Sequence, residues 1–357
     1  MHWKSVRRGL CAALIAAIAP YAFADDGPTA RPELSSALRG FLSHVSPNAV
    51  LDPGAIVECT LSGGAKTNCV RFVLQPDPAK EPGPWCPNTI SDGAEAGGFW
   101  IKDGQVHDVD GPFIKNLSKL YDDPNWQLYD PETGRVKATT TFQGCFAAAR
   151  PDVPREYYNY CAECTPDQAI AAPNYTFFIP VRPVLQDEPD PIRDIPGAGV
   201  ALDGVRLNGP APYQDIVRAY NVAPFDDCGG HVNPYHGYHY HFVTDCLHRE
   251  QVAVGHAPMI GLSMDGFGIF RRLDALGNEP DGLDACGGHS DDLIGYHYHA
   301  APQGTNAIIG CLKAQLGCVL EGGAQTCDAT QPIPRPPPAN LLPSGSVRPL
   351  APTRPTE

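Results

Sequence analysis

The sequence predicts a mainly β protein: a β-rich α+β fold of disulfide-stapled hairpins with few short helices, part of it duplicated. Three observations lead there. Glycine (36) and proline (38) are abundant in a chain of 357 residues, which favours turns and short strands over long helices. Thirteen cysteines become twelve without the first 24 residues, an even number that suits a disulfide framework in an exported chain. Finally, residues 226–241, DDCGGHVNPYHGYHYH, recur at 284–299 as DACGGHSDDLIGYHYH, identical at ten of sixteen positions without a gap.

Along the chain, residues 1–24 read as a secretory signal peptide. Lys4, Arg7 and Arg8 precede an apolar run from Leu10 to Ala19, and Ala22-Phe23-Ala24 offers a cleavage site. Arg7-Arg8-Gly9-Leu10 also has the paired arginines of a twin-arginine signal. Residues 25–195 form a loop-rich β region, either a domain of its own or part of the next. Within it, Ala55–Leu61 and Cys69–Leu74 suit a hairpin around Ser62-Gly63-Gly64, and Phe99–Ile101 and Gln105-Val106 suit another around Asp103-Gly104. Pro112–Tyr121 has the apolar spacing of a short helix with proline in its first turn, and Tyr175–Pro180 reads as a strand. Residues 183–197, rich in proline and aspartate, read as a linker or long surface loop. Residues 196–328 form the histidine-motif domain of two related units: Val200–Leu207 and Leu262–Ile269 are both strand, Asp-Gly turn, strand, and each precedes its own motif. Two such units packed about a pseudo-twofold axis would bring their motifs close together. A short helix is expected from Tyr213 to Val222, and residues 329–357 read as a proline-rich disordered tail.

Spacing suggests the pairs Cys59 with Cys69, Cys228 with Cys246, Cys286 with Cys311, and Cys318 with Cys327. Cys161 and Cys164 have redox-motif spacing, but an oxidising compartment favours a structural bridge. The formal net charge is −14, and loss of Lys4, Arg7 and Arg8 with the signal makes it more negative. Such a chain has no affinity for nucleic acid or anionic membranes. No later segment is apolar for long enough to span a bilayer. Protein partners cannot be read from the sequence.

Histidine carries the chemistry. If Tyr238–His241 is a strand, His239 and His241 share one face and Tyr238 and Tyr240 the other. His231 follows the flexible Cys228-Gly229-Gly230 turn and can be aimed back at that strand. His289, His297 and His299 repeat the arrangement. Three imidazoles with an open position suit zinc or copper. Asp226, Asp284, Asp203 and Asp265 stand near enough in sequence to orient imidazoles or to add ligands. His236, His248 and His256 lack counterparts in the other copy and read as surface or packing residues. The bland alternative is a polar core in which imidazoles only hydrogen-bond. It does not explain why nine of the eleven histidines after residue 24 fall between 231 and 299.

These residues resemble the YHYH-domain family of exported proteins, whose tetrapeptide stands here at 238–241 and 296–299. The Asp-Gly hairpin at Met264–Ile269 fits that family's pattern, as does Ala201–Val205, although asparagine is more usual where Asp203 stands. The resemblance covers roughly 197–310, with Tyr175 as a candidate upstream limit, and implies export to the periplasm or beyond without implying a settled activity. The leading expectation is an exported metal-binding protein holding zinc or copper on paired His-x-His strands. The alternatives are a metal-dependent hydrolase or copper oxidoreductase, and a metal-free secreted β-module that binds carbohydrate or a cell surface through Trp85, Trp100 and Trp126, although core packing is the favoured role for these three. The absence of G-x-S-x-G and HExxH motifs disfavours a serine hydrolase and a zincin protease.

Overall fold

A computed structural model describes residues 33–332, apart from residues 140, 151, 165–172, 234–235 and 248–255 and the side chain of Phe142. The signal-peptide segment, His248 and most of the proline-rich tail lie outside the described residues. In chain order the elements are α1 (Ser36–His44), β1 (Val50–Thr60), β2 (Lys66–Leu74), β3 (Phe99–Lys102), β4 (Gln105–Asp108), α2 (Gly111–Leu120), α3 (Phe142–Ala148), β5 (Tyr175–Pro180), β6 (Leu185–Pro191), β7 (Gly199–Ala201), β8 (Arg206–Leu207), α4 (Tyr213–Arg218), β9 (Gly230–Asn233), β10 (Gly237–Tyr240), β11 (Met259–Ser263), β12 (Gly268–Phe270), β13 (Gly288–Asp291), β14 (Gly295–His299), β15 (Cys311–Ala314) and β16 (Cys318–Glu321). The fold is strand-rich with short helices, as its glycine and proline content predicts.

One sheet of four strands runs β1-β2-β5-β16. Its inner strand β5 is buried along its whole length, which is why Tyr175–Pro180 is an apolar run rather than an alternating one. The larger sheet has eight strands in the order β13-β14-β12-β11-β7-β8-β10-β9. That order is symmetric about its middle. β7 and β11 pair antiparallel with Val200 opposite Leu262, the residues that begin the two matching strand-turn-strand segments. Outward from them, β8 pairs parallel with β10 through Leu207 and Tyr240, and β12 with β14 through Ile269 and Tyr298. The duplication in sequence is therefore a twofold rotation about the Val200–Leu262 pair. It does not bring the two motifs together. β10 and β14 are five strand spacings apart, roughly 24 Å along the sheet. The axis falls at the hairpin strands, so each motif is carried outward to its own edge.

The predicted helices form with their capping chemistry in place: Asp110 accepts from the Phe113 amide at the start of α2, and Pro112 sits in its first turn. α4 is shorter than the stretch Tyr213 to Val222. α1 was not anticipated; it starts at an N-cap, Ser35, and buries Leu38 and Phe41, three apart on one face. The segment 183–197 is not simply a linker. Its centre, β6, pairs with β15, placing Leu312 opposite Asp190 and Ala314 opposite Leu185. β6 is a largely exposed strand of a two-stranded sheet that carries Pro189 and Pro191, so its composition is that of a loop.

Six disulfides brace the chain: Cys59–Cys69, Cys86–Cys161, Cys145–Cys164, Cys228–Cys246, Cys286–Cys311 and Cys318–Cys327. Cys161 and Cys164 are not joined to each other; each takes a distant partner. Cys286–Cys311 closes a loop of separation 25 that contains all of β13 and β14. Replacing both cysteines with serine is expected to cost about 3 kcal/mol, read as a lower urea midpoint.

Candidate metal centres

Each centre begins with a turn. Asp226 Oδ1 accepts from the amides of Cys228 and Gly230, both at 3.0 Å. Asp284 Oδ1 does the same for Cys286 (2.9 Å) and Gly288 (3.0 Å). Gly229 and Gly287 lie between, at φ +81 and +80, a conformation that favours glycine. The turn sends β9 back along β10, and β13 along β14, in a register that sets His231 opposite His239 and His289 opposite His297.

The faces then separate as the alternation predicts. Tyr238 donates to Asp226 Oδ2 (2.7 Å), Tyr240 to Asp203 Oδ2 (2.8 Å), Tyr298 to Asp265 Oδ2 (2.7 Å) and Tyr296 to Asp284 Oδ2 (2.9 Å). The four aspartates considered above as imidazole partners or extra ligands thus meet the tyrosines across the sheet from the histidines. A carboxylate next to a chain turn is held by the turn's own amides, which points it away from the working face. Asp226 is buried and Asp284 exposed. Asp226→Ala is therefore expected to cost about 3 kcal/mol and Asp284→Ala about 1 kcal/mol in denaturant titration.

On the other face the imidazoles converge. In the first centre the Nε2 atoms of His231, His239 and His241 form a near-equilateral triangle with sides of 3.1, 3.0 and 3.0 Å. In the second, His289, His297 and His299 give sides of 2.9, 3.2 and 3.2 Å. The opposite ring nitrogens are held by backbone carbonyls: His239 Nδ1 by Gly237 O (2.9 Å), His241 by Gly209 O (2.6 Å), His289 by Asp281 O (2.9 Å), His297 by Gly295 O (2.8 Å) and His299 by Arg271 O (2.7 Å). A carbonyl oxygen only accepts, so each of these Nδ1 atoms carries the proton and each Nε2 presents a bare lone pair. Bare lone pairs 3 Å apart repel unless a cation lies among them. Three nitrogens on triangles with sides of 2.9–3.2 Å are spaced so that they could all ligate one ion at bond lengths of about 2.0–2.1 Å.

Burial reinforces this state. It holds His231 and His239 well below the ordinary histidine range and His241 down to about 4. It lowers His297 and holds His299 at about 4. All five rings are neutral near pH 7, the form that ligates a metal.

His256 is a residue that sequence reasoning missed. Its Nε2 lies 3.0 Å from that of His297, its Nδ1 meets Ala257 O at 2.7 Å, and it joins the other three as a four-histidine cluster that can hold a metal ion. Comparing the two motifs could not find it, because it precedes β11. Counting back from the symmetry pair does locate its counterpart: His256 lies six residues before Leu262, and Asp194 lies six before Val200. His236, also read as ordinary, is buried beside the first centre, with Nε2 3.3 Å from Asp194 Oδ2 and its ring centroid 6.0 Å from that of His239. Trp85, Trp100 and Trp126 are all buried. Trp85 donates to Gly230 O (3.2 Å) and Trp100 to Tyr121 OH (2.8 Å), so they are core braces rather than a binding platform.

Strands, bridges and paired clusters define a disulfide-braced, internally duplicated β protein able to hold metal ions on histidine. Residues 176–276 match the family described as YHYH protein, and the chain carries a YHYH domain there. The match takes in β5, the first histidine motif and the β11–β12 hairpin, while the second motif lies beyond it. No curated protein and no solved structure matches the chain.

Proposed function

We propose that this is an exported metal-binding protein holding two divalent transition-metal ions, zinc or copper. One would be held by His231, His239 and His241, the other by His289, His297 and His299 together with His256. The observation that carries the reading is the convergence of carbonyl-oriented imidazoles, whose bare nitrogens have no use for one another without a cation. A bound divalent ion would supply positive charge and Lewis acidity. The protein supplies lone pairs, fixed tautomers and a rigid sheet. Six disulfides are consistent with an oxidising compartment outside the cytoplasm, and among the described residues no helix is long and apolar enough to cross a membrane.

The test is elemental analysis of protein recovered from the compartment to which it is exported, with electron paramagnetic resonance for Cu(II). Two metal equivalents are expected, falling to none in the His239→Ala, His256→Ala, His297→Ala triple variant, which leaves two imidazoles in each centre. Substoichiometric metal, or a triple variant that keeps both equivalents, would sink the reading.

A further inference from the structure

The sheet relates the two centres by a rotation, yet their surroundings differ at two equivalent positions. The geometry points to a division of roles: the second centre closes on its ion with four imidazoles, and the first keeps a coordination place for an exchangeable small anion. This rests on the metal-binding reading above.

The first difference is the fourth ligand. His256 brings its Nε2 within 3.0 Å of His297 Nε2 and completes a set of four nitrogens. For a tetrahedral ion, four protein ligands leave no place for another molecule, whereas three leave one. At the symmetry-equivalent position the first unit has Asp194. Its carboxylate is engaged by His236 Nε2 (3.3 Å) and by Asn208 Nδ2 (3.2 Å), and among the described residues the group converging on the first centre is His231, His239 and His241.

The second difference is charge. Asn233 and Asp291 occupy the same place in the two hairpins, opposite Gly237 and Gly295 respectively. Asn233 Oδ1 accepts the His236 amide (2.8 Å), which turns its NH2 toward His239 Nε2 at 3.5 Å. An amide donor at that edge can hydrogen-bond an anion bound to the ion. Asp291 Oδ2 instead stands 3.8 Å from His256 Nε2 and places a negative charge where an incoming anion would approach. The first unit also holds an unsatisfied polar atom: Asn208, one residue before the carbonyl that holds His241, is fully buried, and its Oδ1 has no hydrogen-bond partner among the described residues. A water bound there would satisfy it.

The experiment loads the full chain with Co(II), counts the equivalents bound, and titrates azide while following the visible absorption. Two cobalt ions are expected, with azide shifting the absorption of one. His231→Ala should remove that response while keeping one cobalt. His256→Ala should make the second centre respond as well, and Asn233→Asp should weaken azide binding about tenfold or more. Two bound cobalt ions with azide shifting both centres, or neither, would overturn the division of roles while leaving metal binding intact. No bound cobalt would overturn the metal-binding reading itself.

Discussion

Adding zinc at about a thousand times its dissociation constant to the metal-free chain is expected to stabilise it by about 4 kcal/mol per centre. At about 2 °C per kcal/mol for a domain of this size, each occupied centre raises Tm by roughly 8 °C. The size follows from mass action: the converging nitrogens exist only in the fold, so the ion binds the native state and not the unfolded chain. His239→Ala should remove one half of the shift and the His256→Ala, His297→Ala pair the other. The effects should add, because the centres sit on strands five positions apart with the hairpin strands between them. Scanning calorimetry of the wild type, each of these variants and their combination, with and without zinc, reads this directly. A single variant that abolished the whole shift would contradict two separate centres.

The working face was legible because two periodicities agree. Alternation along Tyr238–His241 and Tyr296–His299 separates histidine from tyrosine, and repetition of the whole motif indicates that the separation is used twice. The turn glycines were legible for a similar reason, since a Cys-Gly-Gly-His step has few conformations that return the chain on itself. The distance between the centres was not legible. A duplicated sequence fixes that two units are alike, but not which strands meet at the axis. Here β7 and β11 meet, which places the motifs at opposite edges. His256 and the β6 strand were missed on the same ground. Both depend on pairing with chain distant in sequence: His256 approaches His297 from outside either motif, and β6 becomes a strand only because β15 lies beside it. The aspartates were misplaced because sequence proximity to a histidine says nothing of the sheet face. Asp226 and Asp284 reach the tyrosine side through the turn amides that hold them.

Acid should unfold the metal-free protein in a window set by its histidines. In the unfolded chain their pKa lies near 6.5. In the fold, burial holds His241 and His299 at about 4 and lowers His231, His239 and His297 as well. Between those values the unfolded state binds protons that the folded state refuses, so stability is full above about pH 6.5 and is lost as pH falls toward about 4. Each such histidine contributes a slope of up to about 1.4 kcal/mol per pH unit. Three buried acids act in the opposite sense. Burial raises Asp226, Asp265 and Glu163 above the usual carboxylate range, so the fold takes up their protons before the unfolded chain does and regains some stability lower in the window. The loss is therefore expected to run between about pH 6.5 and 4, offset in part where the folded state takes up the protons of these acids. Bound metal opposes the same protons for the same Nε2 lone pairs, so the loaded protein should hold its stability to lower pH and then lose metal and stability together. Urea titrations of chelator-treated and zinc-loaded protein at a series of pH values distinguish these curves. A metal-free protein whose unfolding free energy stays level from pH 7 to 5 would show that the imidazoles are not held neutral by their burial.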